Sequence, residues 1–239
     1  MKILVLQHER VEHPGAFRTF LNEDGHEWLP IHLNDGDTPP SLDGFDALWV
    51  MGGPMDVWEE NTYPWLRDEK KLIQEAVERR GMPFLGLCLG HQLLAEALGG
   101  QCGKSEYAEI GVLKVKLTEE GSTGILFDGL PETFNCLQWH TAEVKRMPAG
   151  AQCLATSSDC AIQAMSWGPR AYSMQFHLEV EHDTVDNWIA VPSYSEALAS
   201  VLGVNGAPML KAACDAQAGC FKQMAERFYI NWLHTSAKI

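Results

Sequence analysis

One cysteine in this sequence has neighbours that could set it up for chemistry: Cys88, within Gly86-Leu87-Cys88-Leu89-Gly90. The apolar run Pro83-Phe84-Leu85-Gly86-Leu87 precedes it and a helix-forming stretch from Leu89 to Leu98 follows. The sulfur therefore falls on a strand-to-helix turn with glycine at both second neighbours, the pattern of a nucleophile elbow with Cys in place of Ser. Glycine is needed there because the turn is tight and a Cβ would collide with neighbouring backbone. The turn also places the sulfur at a helix N-terminus, where the dipole and free N–H groups favour an anion. Cysteines among apolar residues are more often inert structural thiols. That reading suffices for Cys102, Cys136, Cys153, Cys160, Cys214 and Cys220.

A thiol nucleophile needs a base and a group to orient that base. Gln175-Phe176-His177-Leu178-Glu179 offers both. Residues two apart on an extended chain point to the same face, so Glu179 can hold the His177 imidazole and stabilise its charged form. Alone, such a pair usually marks an exposed polar strand end. Here it follows an apolar strand, and open α/β sheets deliver residues to the carboxyl edge where ligands bind. Glu181 and His182 are rivals, but they fall where a helix begins. Met51-Gly52-Gly53-Pro54-Met55 also ends an apolar run. Its glycines let backbone N–H groups approach a ligand, so Gly53 and Leu89 are the candidate oxyanion donors. By itself Gly-Gly-Pro would be a plain turn.

The elements that must position these residues alternate in the first half of the chain. Lys2 to Leu6 reads as a strand, Pro14 to Asn22 as a helix, His26 to Leu33 as a strand, Asp46 to Met51 as a buried strand and Pro64 to Arg80 as a helix. Such alternation predicts βαβ units: a doubly wound, mostly parallel central sheet with helices on both faces. From Gly111 onward the strands are joined by short turns, at Val112 to Leu117, Phe134 to Leu137, Ala151 to Ala155, Ala161 to Met165 and Ala171 to Phe176, which predicts some antiparallel members. Helices return near Val185 to Ile189, Tyr194 to Leu202 and Met209 to Leu233. No linker or repeat divides the chain. The expectation is one domain over 1–239, with a core of about 1–190 and a helical C-terminal extension over 191–239.

Bulk properties narrow the function. Of 239 residues, 46% are hydrophobic, ample for a core. A formal charge of -14 argues against nucleic-acid binding and docking on anionic lipid. The apolar start, Met1 to Leu6, is too short for a signal-peptide core or a membrane span. Seven cysteines without close pairing point to reduced thiols, and so to the cytoplasm. No spacing suggests a metal site, and His26, His32 and His234 receive no metal role. No phosphate-cradling GxxxxGK[ST] loop is present, so no nucleotide or other cofactor is expected.

Taken together, Met51-Gly52-Gly53-Pro54, Gly86-Leu87-Cys88-Leu89-Gly90-His91-Gln92 and Gln175-Phe176-His177-Leu178-Glu179 resemble the three signatures of the class I (triad) glutamine amidotransferases. The resemblance runs from the N-terminus to Trp188 and implies that family's flavodoxin-like architecture. It further implies that Cys88, His177 and Glu179 are catalytic, that Gly53 and Leu89 form the oxyanion hole, and that Gly52 and Gln92 contact glutamine. It also puts His140, in Gln138-Trp139-His140, on a substrate-side loop. The implied partner is a synthetase subunit that accepts ammonia, because about 50 residues remain after Trp188, too few for a second catalytic domain. The chain is similar to the glutaminase part of GMP synthase and to stand-alone γ-glutamyl peptidases. Three readings follow: release of ammonia from glutamine, cleavage of γ-glutamyl peptides or amines, or an inactive binding or regulatory protein on the same fold.

Overall fold

Strands buried on both faces need apolar residues at every position, and the four-residue runs of this chain supply them. The computed structural model describes residues 1–236. Its elements run β1 (Lys2–Gln7), α1 (Phe17–Glu23), β2 (Glu27–His32), β3 (Ala47–Val50), α2 (Trp65–Gln74), β4 (Phe84–Leu87), α3 (Leu89–Ala97) and β5 (Gln101–Leu117). They continue with α4 (Glu119–Thr123), β6 (Thr133–Arg146), β7 (Ala151–Thr156), β8 (Ala164–Trp167), β9 (Ala171–Met174), α5 (Thr184–Trp188), α6 (Pro192–Leu202) and α7 (Gly206–Ser236).

All nine strands form one sheet in the order β2-β1-β3-β4-β9-β8-β7-β5-β6. The first five in that order are parallel, with registers such as Leu6 opposite Val50 and Gly86 opposite Ser173. From β9 to β6 every pairing is antiparallel. The doubly wound architecture is thus present, with an antiparallel half as large as the parallel one.

Side chains alternate along each central strand and feed two cores. Ile3, Val5, Trp49 and Leu85 face α1 and α7, where Phe17, Phe228 and Trp232 pack. Leu4, Leu6, Leu48 and Val50 face α2 and α3, meeting Leu66, Ile73, Leu93 and Leu94. The 31-residue helix α7 is therefore part of the main core.

Several boundaries differ from the sequence expectation. The helix expected from Pro14 starts at Phe17, and the one expected to reach Arg80 passes into a π-helical turn over Glu75–Arg79. The strand expected at Ala161 to Met165 forms at Ala164–Trp167, and β9 stops at Met174. The largest difference is the β5–β6 hairpin, whose strands have 17 and 14 residues. Its outer part, from Gln101 to Ala108, is mostly solvent-facing and polar, so hydrophobic periodicity does not mark it as strand. Among the described residues no single helix is long and apolar enough to cross a membrane.

If α7 belongs to the core, Trp232→Ala must be costly. The indole is fully buried, stands edge-on to Trp49 at 5.1 Å and donates to the Phe84 carbonyl at 3.4 Å. The variant should lose about 3–5 kcal/mol in urea denaturation. An unchanged midpoint would mean that α7 adds nothing to the cooperative unit.

Candidate active site

The parallel strands β1, β3, β4 and β9 end at one edge of the sheet, and the chemistry-bearing residues gather there. Cys88 follows β4 with φ +50° and ψ −102°, the one non-glycine residue with positive φ among those described. Such backbone costs of order 1–3 kcal/mol and persists only where its surroundings force it. They do so here. The Cys88 N–H donates to the Met174 carbonyl on β9 (2.9 Å), and the Gly90 N–H to the Met51 carbonyl (3.2 Å). A Cβ on Gly90 would lie 2.0 Å from the Val50 carbonyl oxygen, and one on Gly86 2.5 Å from that of Gly90. The two glycines let β3, β4 and α3 close around the bend.

His177 lies beyond the end of β9, its N–H bonded to the Leu137 carbonyl at 2.9 Å. Its ring stands edge-on to Trp188, centroids 4.6 Å apart. Nδ1 donates to Glu179 Oε1 at 2.6 Å, while Glu179 Oε2 accepts the Leu178 N–H at 3.0 Å. With Nδ1 committed, Nε2 is the nitrogen left for the sulfur. Burial alone would keep this imidazole neutral. The charge of Glu179, with hydrogen bonding to Cys88 and Glu179, outweighs burial and raises its pKa well above the ordinary histidine value. Cys88 and His177, far apart in sequence, are thus brought together, with Glu179 behind the ring. The rivals are not: His182 is 91% exposed, and Glu181 pairs with Arg18 at 2.5 Å.

A cavity of about 300 Å³ opens over the sulfur, lined by Gly53, Leu89, Gln92, Trp139, His140 and Tyr194 among others. Gly53 sits against the Leu89 side chain, 2.9 Å from where its own Cβ would be. Leu89 is the first residue of α3, so its N–H has no partner within the helix. Gly52 lies behind this wall instead of lining it: its carbonyl meets His8 Nδ1 at 2.8 Å and its Cα faces the Glu12 carboxylate. Gln92 lines the cavity, but its amide N–H groups go to the Ala142 carbonyl and Gln175 Oε1, both at 3.1 Å. Gln175 in turn donates to Cys88 Sγ at 3.4 Å. Gln92 therefore reaches the sulfur through Gln175 and keeps Oε1 for other contacts. His140 is not on a loop. It sits inside β6, where strand pairing with Glu109 of β5 fixes it, and it lines the cavity from there.

Sequence reasoning missed Glu12 and Tyr194. Glu12 is buried, and its Oε1 accepts the Tyr194 hydroxyl at 2.5 Å. Burial pushes the Glu12 carboxyl up, opposed by His177 and the Tyr194 hydroxyl. Tyr194 comes from α6 and packs on Trp139 and Trp188, so the C-terminal segment helps build the cavity wall. The pair His8–Glu69, 2.9 Å apart and fully buried, was missed as well. No local spacing signals either pair, because each joins distant segments.

Residues 28–190 match the model of the family described as glutamine amidotransferase class-I. The chain is 29% identical over 96% of its length to the glutamine amidotransferase-like protein YfeJ of Salmonella typhimurium, covering 95% of that protein. It is 39% identical over 53% of its length to a glutamine-hydrolyzing GMP synthase subunit of Methanocaldococcus jannaschii, covering 65% of it. Among solved structures, a glutamine amidotransferase of Thermotoga maritima superposes with a TM-score of 0.86 at 25% identity, over 100% of this chain and 99% of that one.

Strain at the bend is measurable. Replacing Cys88 by Gly should relax it and replacing it by Ala should not, so Cys88→Gly should be more stable than Cys88→Ala by about 1 kcal/mol in chemical denaturation. Equal or reversed stabilities would show that the positive φ carries no strain.

Proposed function

The chain belongs to the class-I glutamine amidotransferase family, and on that premise we propose that it hydrolyses the side-chain amide of glutamine through a thioester on Cys88. The Cys88 thiolate attacks the amide carbon, and the N–H groups of Gly53 and Leu89 bind the oxyanion that forms. The His177 imidazolium gives its proton to the departing nitrogen, which leaves as ammonia. The neutral imidazole then takes a proton from water as the water attacks the γ-glutamyl thioester. Glutamate departs and the sulfur returns to thiolate with imidazolium beside it. Glu179 holds the imidazole tautomer throughout. The observation that carries this reading is the buried Glu179–His177 pair set against a cysteine on a strained elbow.

Gln175 and Gln92 keep the sulfur in place, and the cavity above it receives the substrate, with His140 in its wall. The ammonia would pass to an acceptor enzyme, in keeping with the similarity to the GMP synthase subunit. A γ-glutamyl peptide or amine is the second reading, supported by the extension of the cavity past the sulfur to Asp56, Glu59 and Ser193, where a leaving group larger than ammonia can sit. Unpaired thiols at all seven cysteines suit a reducing compartment such as the cytoplasm.

Steady-state assays of the isolated chain with glutamine and with γ-glutamyl dipeptides test both readings. Glutamine turnover supports the first. Brisk dipeptide cleavage with negligible glutamine turnover would replace it with the second. On the preferred substrate, Cys88→Ala and His177→Ala should each lower kcat by roughly 10⁴-fold, and Glu179→Gln by about 10²-fold. Activity retained in Cys88→Ala would refute the nucleophile. A pH profile adds an independent check. Glu179 raises the imidazole pKa, so Glu179→Gln lowers it and the imidazolium is lost at lower pH. The alkaline limb of kcat/KM should therefore move down in pH; a limb that stays put would remove His177 from the titration.

A further inference from the structure

On the far side of the cavity wall from the sulfur, His140 meets two residues that the glutaminase chemistry does not use. Glu109 on β5, His140 on β6 and Cys160 in the turn before β8 are all buried, and one ligand atom from each falls within 4.8 Å of the others. His140 Nδ1 lies 3.1 Å from the Ala142 carbonyl oxygen, to which it donates, and Nε2 is turned toward Glu109 and Cys160. That nitrogen is 3.1 Å from Glu109 Oε2, yet it finds no aligned hydrogen-bond partner among the described residues. An imidazole nitrogen and a carboxylate oxygen thus face each other in a buried place with no aligned hydrogen bond between them. Ser157 and Gln163 donate to Glu109 at 2.8 and 2.7 Å, which holds the carboxylate in place. Gln163 Oε1 and Glu143 Oε2, whose other oxygen pairs with Lys145, are further buried acceptors without a hydrogen bond among the described residues. Buried polar atoms left unpaired in this way are stabilised by a cation.

We propose that Glu109, His140 and Cys160 form a binding site for a divalent metal of the Zn²⁺ type. A nitrogen, an oxygen and a sulfur donor suit Zn²⁺, and a ligating histidine typically donates its other ring N–H to a carbonyl, as His140 does. Tetrahedral Zn²⁺ holds its donors about 3.3–3.7 Å apart, so the cluster must close by no more than about 1.5 Å. Zn²⁺ binds cysteine as the thiolate, so binding forms a metal–sulfur bond and releases the thiol proton to solvent, and affinity must fall as pH falls. The metal would tie the β5–β6 hairpin to the turn before β8, and through His140 it would stiffen one wall of the cavity.

The test uses the full chain carrying Cys88→Ala, so that the elbow thiol cannot report. Calorimetric titration with Zn²⁺ should give one equivalent bound, with affinity reduced at least tenfold by adding Cys160→Ser or Glu109→Gln. Cd²⁺ titrated into the protein with Cys160 intact should produce a thiolate-to-metal charge-transfer band in the near ultraviolet that is absent once Cys160→Ser is added. Failure to bind Zn²⁺, absence of the Cd²⁺ band, or unaltered Zn²⁺ affinity in the Cys160→Ser protein would each overturn the proposal. These outcomes are independent of glutamine turnover.

Discussion

The backbone bend at Cys88 is the constraint on which the rest of the site depends. A side chain at φ +50° must be held there, and it is held by hydrogen bonds to β9 and by the closeness of α3 to β3. That closeness requires hydrogen in place of Cβ at Gly86 and Gly90. The parallel register of β3, β4 and β9 then settles what surrounds the sulfur. Gly53 arrives from β3, the Leu89 N–H from the first turn of α3, and Gln175 and His177 from the end of β9. A helix start, a glycine turn and an imidazole converge because three neighbouring strands end at one edge.

Burial shapes the electrostatics. His177 is almost wholly enclosed, and an enclosed imidazole is neutral unless something charged sits against it. Glu179 does so at 2.6 Å, and the Leu178 N–H anchors its other oxygen. Low dielectric strengthens this pair and would also strengthen any unwanted charge. Glu12 is the nearby case. It bonds the Tyr194 hydroxyl, and burial raises its pKa, which limits its repulsion of Glu179. Glu179 and Glu12 are thus compensated charges, each with an assigned donor.

Much of this was legible in the sequence, for identifiable reasons. Continuous apolar runs such as Ile3 to Leu6 and Ala47 to Val50 mark strands covered on both faces, and glycines two residues either side of a cysteine mark an elbow. Spacing of two placed His177 and Glu179 together. Where the signal is not local, it was lost. Glu12 and Tyr194 meet across most of the chain, and neither belongs to a motif. The outer β5–β6 hairpin carries polar residues on a half-exposed ribbon, so its length is set by strand pairing. His140 was put on a loop by the family resemblance, whereas the pairing of β5 with β6 sets it inside a buried part of the strand. Glu109, His140 and Cys160 become neighbours only when β5 pairs with β6 and the turn before β8 folds over them.

Catalysis in this scheme turns on a covalent bond between Cys88 and the side-chain carbonyl carbon of its substrate, and rapid-quench mass spectrometry observes that bond directly. Protein mixed with glutamine, stopped in acid within the first turnover and digested should show a γ-glutamyl adduct on the peptide bearing Cys88, decaying as turnover completes. Turnover with an adduct on another residue, or with none accumulating even when Glu179→Gln slows the second half-reaction, would contradict it.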